Sequence, residues 1–193
     1  MGYLANAGQL LINFAFGVLV SLLVIRVLLQ LARANFYNPI CQMLYKLTNP
    51  VLMPLHRLIP NWRNFDTAGV LLAWLLSAIK LALLYALFGQ GLRFGGLMVM
   101  ALADLIDFVL LLYLGLIFVR VLLSFISVER SNPIVPLIVQ LTDPLLRPVR
   151  RRVPAVGALD FSPAIVMLAI ALMRVLLVAP LIDLGKQLAQ AAM

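Results

Sequence analysis

Four long apolar runs dominate the polarity pattern of this chain, at roughly Leu10–Leu31, Ala68–Phe88, Leu97–Ile126 and Ala164–Leu184. Each is near the length of about 20 apolar residues that a helix needs to cross a bilayer. Between the runs the pattern changes. After Asn38-Pro39, the residues Ile40, Met43, Leu44 and Leu47 recur at i, i+3, i+4 and i+7; Ile134, Leu137, Ile138 and Leu141 do the same after Asn132-Pro133. That spacing predicts a short helix with one apolar stripe. Asn followed by Pro supplies a capping side chain and then a residue suited to the first helical position. Thr48-Asn49-Pro50 and Thr142-Asp143-Pro144 read as a second helix start, and Pro54 and Pro148 should keep that second element short or bent.

The same signals therefore occur twice, and the match extends well beyond them. Residues 10–84 and 104–178 align without a gap. Arg26-Val27-Leu28-Leu29 matches Arg120-Val121-Leu122-Leu123, and Leu47-Thr48-Asn49-Pro50 matches Leu141-Thr142-Asp143-Pro144. Pro54, Arg57, Pro60 and Asp66 match Pro148, Arg151, Pro154 and Asp160. Proline, charge and Asn/Asp punctuation repeat here, so shared hydrophobicity does not explain the match. A period this long is a duplicated module rather than a solenoid unit. The expected division is residues 1–92 and 93–193, two helical hairpins with two spans each.

Composition agrees with a membrane chain: 64% of residues are hydrophobic and 11% charged, with a mean hydropathy of +1.09. The expected class is an all-α membrane protein with four transmembrane helices. Short amphipathic helices in the two connectors would lie in the membrane interface or cap the bundle. The first run lacks a basic segment before it and a small-residue cleavage pattern after it, so it reads as a retained span. A single cysteine, Cys41, excludes an internal disulfide.

Charge sets an orientation. Arg33, Lys46, Arg57 and Arg63 lie between the first two runs, and Arg130, Arg147, Arg150, Arg151 and Arg152 between the last two. The turn at residues 89–96 carries only Arg93. By the positive-inside rule both connectors are cytoplasmic and both termini lie on the opposite side, as in a bacterial inner-membrane protein. The two hairpins then form a parallel repeat. The net charge of +8 suits anionic lipid head groups, with Arg57, Arg147, Arg150, Arg151 and Arg152 as the contact residues. No nucleic-acid module accompanies the charge, so none is expected as a partner.

Charges within the spans are costly and are usually paired. Helix rise sorts them into two levels. Arg26 with Asp66 and Arg120 with Asp160 form a cytoplasmic level. Asp107 with Arg174 forms an outer level, whose counterpart in the first copy is Asn13 with Lys80. Asp104, one turn from Asp107, is placed to reach Lys80 across the repeats. These charges either fix helix register or line a polar cavity that binds or passes a small ion or osmolyte. His56, the only histidine, reads as solvated or interfacial, with no buried carboxylate beside it to make a catalytic set. No metal site or cofactor is expected. The glycines at 89, 91, 95 and 96 lack the Lys-Ser/Thr of a phosphate loop.

The runs Leu47–Arg57 (LTNPVLMPLHR) and Leu141–Arg151 (LTDPLLRPVRR), with Arg-Val-Leu-Leu before and Pro and Asp after each, resemble the signature of the YGGT family. The resemblance covers about Leu10 to Leu184 and implies a two-repeat integral membrane protein. Bacterial members are linked to tolerance of osmotic shock. Plastid relatives are associated with haem attachment during cytochrome assembly and with nucleoid or division organisation. The family brings no catalytic residue set. Two functions are therefore expected. One is a non-enzymatic scaffold or assembly factor that gathers lipid or a membrane protein partner through its basic connectors. The other is a small transport or osmotic-stress protein using the intramembrane charges, which four spans would support best as a homo-oligomer.

Overall fold

The computed structural model describes residues 2–34, 37–61, 64–91, 93–125, 132–153 and 160–190. Arg63, Ile126, Arg130 and Pro154, among the positions named above, lie outside the described residues. The described chain forms seven α-helices: α1 (Gly2–Leu31), α2 (Pro39–Leu58), α3 (Thr67–Leu87), α4 (Phe94–Phe125), α5 (Ile134–Arg152), α6 (Ser162–Met173) and α7 (Ala179–Gln190). A five-residue π-helical turn, Arg174–Val178, joins the last two into one rod. Among the described residues four helices are long and apolar enough to cross a membrane: α1, α3, α4 and the continuous Ser162–Ala189. At about 1.5 Å per residue α1 and α4 run to roughly 45–48 Å, beyond the ~30 Å hydrocarbon core, so they tilt or project from it.

The spans pack as a row, with α1 against α3, α3 against α4, and α4 against the α6–α7 rod. Small residues permit the closest approach. A Cβ on Gly96 of α4 would sit 2.5 Å from the backbone nitrogen of Ala189 and 2.6 Å from the carbonyl oxygen of Gly185. Without side chains at that crossing the two backbones gain the van der Waals contact that holds helices together in lipid. Pro180 follows the π turn. Its ring would press on the carbonyl four residues back, and the widened turn, closed by the Ala179 N–H donating to Arg174 O, accommodates it.

Both connectors form single long helices, which corrects the two-element expectation. α2 runs unbroken for 20 residues with Pro50 and Pro54 inside it, and α5 for 19 residues with Pro144 and Pro148 inside it. Each proline removes one backbone donor, but a buried stripe continues across the supposed break. In α2 it is Cys41, Leu44, Thr48 and Leu52. In α5 it is Leu137, Ile138, Leu141, Thr142 and Leu146. Thr48 and Thr142 do not start helices. Their hydroxyls donate back to Leu44 O and Ile138 O, each at 2.7 Å. The stripe in α2 is also displaced from the expected one, since Met43 and Leu47 are exposed.

Both connector helices dock on the spans at one end of the bundle, and they touch there. Asn38 caps α2 by accepting from Ile40 N at 2.9 Å, and its amide donates to Pro133 O at 2.7 Å. Gln140 of α5 donates to Ala32 O and Arg33 O, both at 3.1 Å, at the end of α1.

Candidate functional site

The charges sort into a connector-end group and a mid-span group. In the first repeat, Arg26 on α1 and Asp66 at the start of α3 are both buried, at 3% and 0% exposure. Arg26 Nη1 donates to Thr48 Oγ1 at 2.6 Å, and the guanidinium lies 4.3 Å from the centre of the Tyr45 ring. Burial pushes the Tyr45 hydroxyl up, against the opposing pull of Arg26, so the ring meets the cation as a neutral phenol. Asp66 Oδ1 accepts from Gly69 N at 2.8 Å, capping α3, and lies 2.8 Å from His56 Nε2. A carboxylate only accepts, so His56 Nε2 carries the proton of that bond. Arg26 Nε and Asp66 Oδ2 face each other at 3.7 Å, too far for a hydrogen bond, and neither atom has another partner among the described residues.

His56 is thus a correction. Its ring is partly exposed, at 25%, but a carboxylate does stand beside it, and that carboxylate is fully buried. The repeat held the signal. His56 aligns with Arg150 and Asp66 with Asp160, and Arg150 Nε donates to Asp160 Oδ2 at 2.8 Å. In both copies a connector residue ten positions earlier holds the carboxylate at the start of the second span.

The second repeat rewires the rest. Arg120 Nη1 keeps its threonine, Thr142 Oγ1 at 2.6 Å, but pairs with Asp143 at 2.8 Å and not with Asp160. The expected Arg120–Asp160 pair is therefore absent. Position 143 is the cause, because its counterpart in the first repeat is the neutral Asn49. A carboxylate one residue from Thr142 captures the arginine locally. Asp160 turns to Arg150 and accepts from Ser162 N at 2.9 Å. Burial alone would raise the Asp160 carboxyl. The Ser162 N–H and the Arg150 guanidinium outweigh it and hold the group below its ordinary value.

At mid-span, Arg174 grips Asp107 with two bonds, Nε to Oδ1 at 2.6 Å and Nη2 to Oδ2 at 3.0 Å. Lys80 Nζ donates to Asp104 Oδ2 at 2.6 Å, a bond that crosses from one repeat to the other. Asn13 does not join Lys80. It is exposed, because the buried residues of α1 all lie at Val20 or later, and α4 supplies the partner instead. Asp104 and Asp107 share one face of α4, and both remain about one-third exposed, at 31%.

The remaining connector cations face outward. Arg57, Arg151 and Arg152 are exposed, and Arg147 is exposed with Asp143 at 3.9 Å. Gln140, Asp143, Arg147 and Arg151 line a cleft of about 460 Å³ along one side of α5.

Comparison with known proteins places this architecture. The CCB3/YggT family model matches residues 5–87 and again 99–181. The uncharacterized protein YggT of Escherichia coli K12 is 36% identical over 165 residues, covering 84% of this chain and 85% of the relative. A protein of Vibrio alginolyticus, described as an uncharacterized protein in the proC 3′ region, is 36% identical over 167 residues, covering 86% and 90%. The uncharacterized protein PA0392 of Pseudomonas aeruginosa is 36% identical over 178 residues, covering 90% and 89%. No solved structure matches the chain. Two matches of the same family model, one per copy and each spanning a hairpin with its docked connector, establish that the chain belongs to the CCB3/YggT family as a two-repeat member.

Proposed function

We propose that the chain is a non-enzymatic membrane scaffold or assembly factor, with its four spans holding two basic connector helices at the cytoplasmic face of an inner membrane. The observation that carries this reading is the locking of both connectors by equivalent bonds, Arg26 to Thr48 and Arg120 to Thr142, each 2.6 Å long. An arginine in the first span of each repeat fixes the helix that presents Arg57 in one copy and Arg147, Arg151 and Arg152 in the other. Met43, Leu47, Val51 and Met53 are exposed on α2, the helix that carries Arg57. Basic groups next to apolar ones suit an anionic lipid surface or a membrane protein with an acidic face. Photo-crosslinking from position 151 in intact membranes tests the reading. A reproducible protein adduct that is missing from a probe at the lipid-facing Leu168 supports it, and lipid-only adducts at both positions remove the protein partner.

A second reading is favoured by the two mid-span ion pairs. Asp104 and Asp107 stay partly exposed at membrane depth, and Arg174 sits on a π turn, a feature frequent at functional sites. These are the groups an ion or osmolyte pathway would use, with a second copy closing the open face. Potassium and proton flux in proteoliposomes decides this. Transport that fails in Asp107→Asn and Lys80→Met supports it, and a silent wild type sinks it.

A further inference from the structure

α1 and α4 both lean on α3 and leave between them a cavity of about 310 Å³. Every lining residue is apolar, including Val24, Leu28 and Leu31 of α1, Val70 of α3, and Leu102 and Leu105 of α4. Leu31 and Phe65 form its connector-end mouth and are half exposed, at 51% and 40%. From Leu31 to Val24 the slot reaches about 10 Å along α1. The slot is apolar along its whole depth, which suits a hydrocarbon chain, and a cation at its mouth would suit the head group of an anionic lipid.

What stands at the mouth identifies the rest of the ligand. α1 ends in a Schellman motif, with Arg33 N donating to Gln30 O at 3.0 Å and Ala34 N to Leu29 O at 2.8 Å. α3 ends the same way at Gly89, with φ +67°, but in α1 the left-handed position is filled by Arg33, with φ +52°. A residue with a Cβ costs about 1–2 kcal/mol there relative to the glycine that usually occupies it. An arginine kept at that cost points to work for its side chain. Arg33 is exposed, and its Nε and Nη2 lie 2.5 and 3.3 Å from the Asn64 amide oxygen, with the amide oriented to satisfy both groups. Asn64 is the neighbour of Phe65, so the guanidinium is held beside the mouth, at the depth where the spans leave the hydrocarbon.

We infer that the cavity is a binding site for an acyl chain of an anionic phospholipid, whose phosphate is met by Arg33. This goes beyond the scaffold reading and does not depend on it: Arg33 is an exposed connector cation too, but it stands at the end of α1, apart from the Arg57, Arg147, Arg151 and Arg152 on which that reading rests. The test uses the full chain in nanodiscs of equal phosphatidylglycerol and phosphatidylethanolamine, followed by native mass spectrometry after extraction into mild detergent. The wild type should retain a phosphatidylglycerol molecule through delipidation. Val70→Trp, and independently Leu102→Trp on the other wall, should fill the slot and abolish retention of either lipid. Arg33→Gln, a change at an exposed side chain, should leave the lipid count unchanged and reduce the preference for phosphatidylglycerol about five-fold. Equal retention of the two lipids by the wild type, or retention unaffected by both filling variants, overturns the inference.

Discussion

Asp66 joins three elements of the first repeat at one buried carboxylate, through Arg26, His56 and Gly69. Removing it leaves a buried guanidinium without its counter-charge, which typically costs about 3–5 kcal/mol. Asp66→Ala should therefore lower the melting temperature in detergent sharply. Asp160→Ala removes only a cap and a solvent-screened pair, so about 1 kcal/mol is expected. Equal losses in a thermal scan would show that the two copies are wired alike after all. The same residue carries a pH signature. The folded Asp160 carboxyl titrates below its ordinary value, so its stabilisation is present above the unfolded value of about 4 and is lost as pH falls through the folded value. The melting-temperature gap between wild type and Asp160→Asn should accordingly be constant above about pH 5 and close on acidification. A gap that widens instead would reverse the sign.

Helices, by contrast, show where sequence patterns suffice. The four spans were legible because an apolar run of that length in this composition has few alternatives. The connector breaks were misread because Thr-Asn-Pro and Thr-Asp-Pro are local start signals, and the stripes Leu44–Thr48–Leu52 and Leu141–Thr142–Leu146 overrode them. Proline inside a helix is costly, and tertiary burial outweighs it here. The Arg120 pairing failed for a related reason. Asn49 and Asp143 pass as equivalent punctuation in an alignment, yet one of them carries a charge at the reach of an arginine. At the α4–α7 crossing the prediction concerns backbone contact. Gly96→Ala places a methyl against Ala189 N and Gly185 O, atoms that do not yield. A loss of about 1–3 kcal/mol is expected, read as earlier unfolding and as faster proteolysis of the fourth span. A neutral result would mean the helices slide apart without cost.

For the whole molecule, the meeting of both connectors at one end makes a topological prediction. Cysteines introduced at Gly91 and Arg151 should label with a membrane-impermeant maleimide from opposite sides of the membrane. The native Cys41 will not confuse the reading, because it is buried and burial pushes its thiol up. Labelling of both sites from one side would contradict the arrangement of connectors and turn on opposite faces.

Lys80 and Asp104 also bear on how this protein is made. They lie 24 residues apart in sequence, on successive spans, and the ribosome delivers the lysine first. Until α4 packs beside it, α3 carries an ammonium without that carboxylate, at a cost of about 3 kcal/mol if it sat at the bilayer centre. Although the two halves are copies, the carboxylate that meets Lys80 comes from the second, so the ion pair of the leading hairpin is completed only when the two repeats assemble.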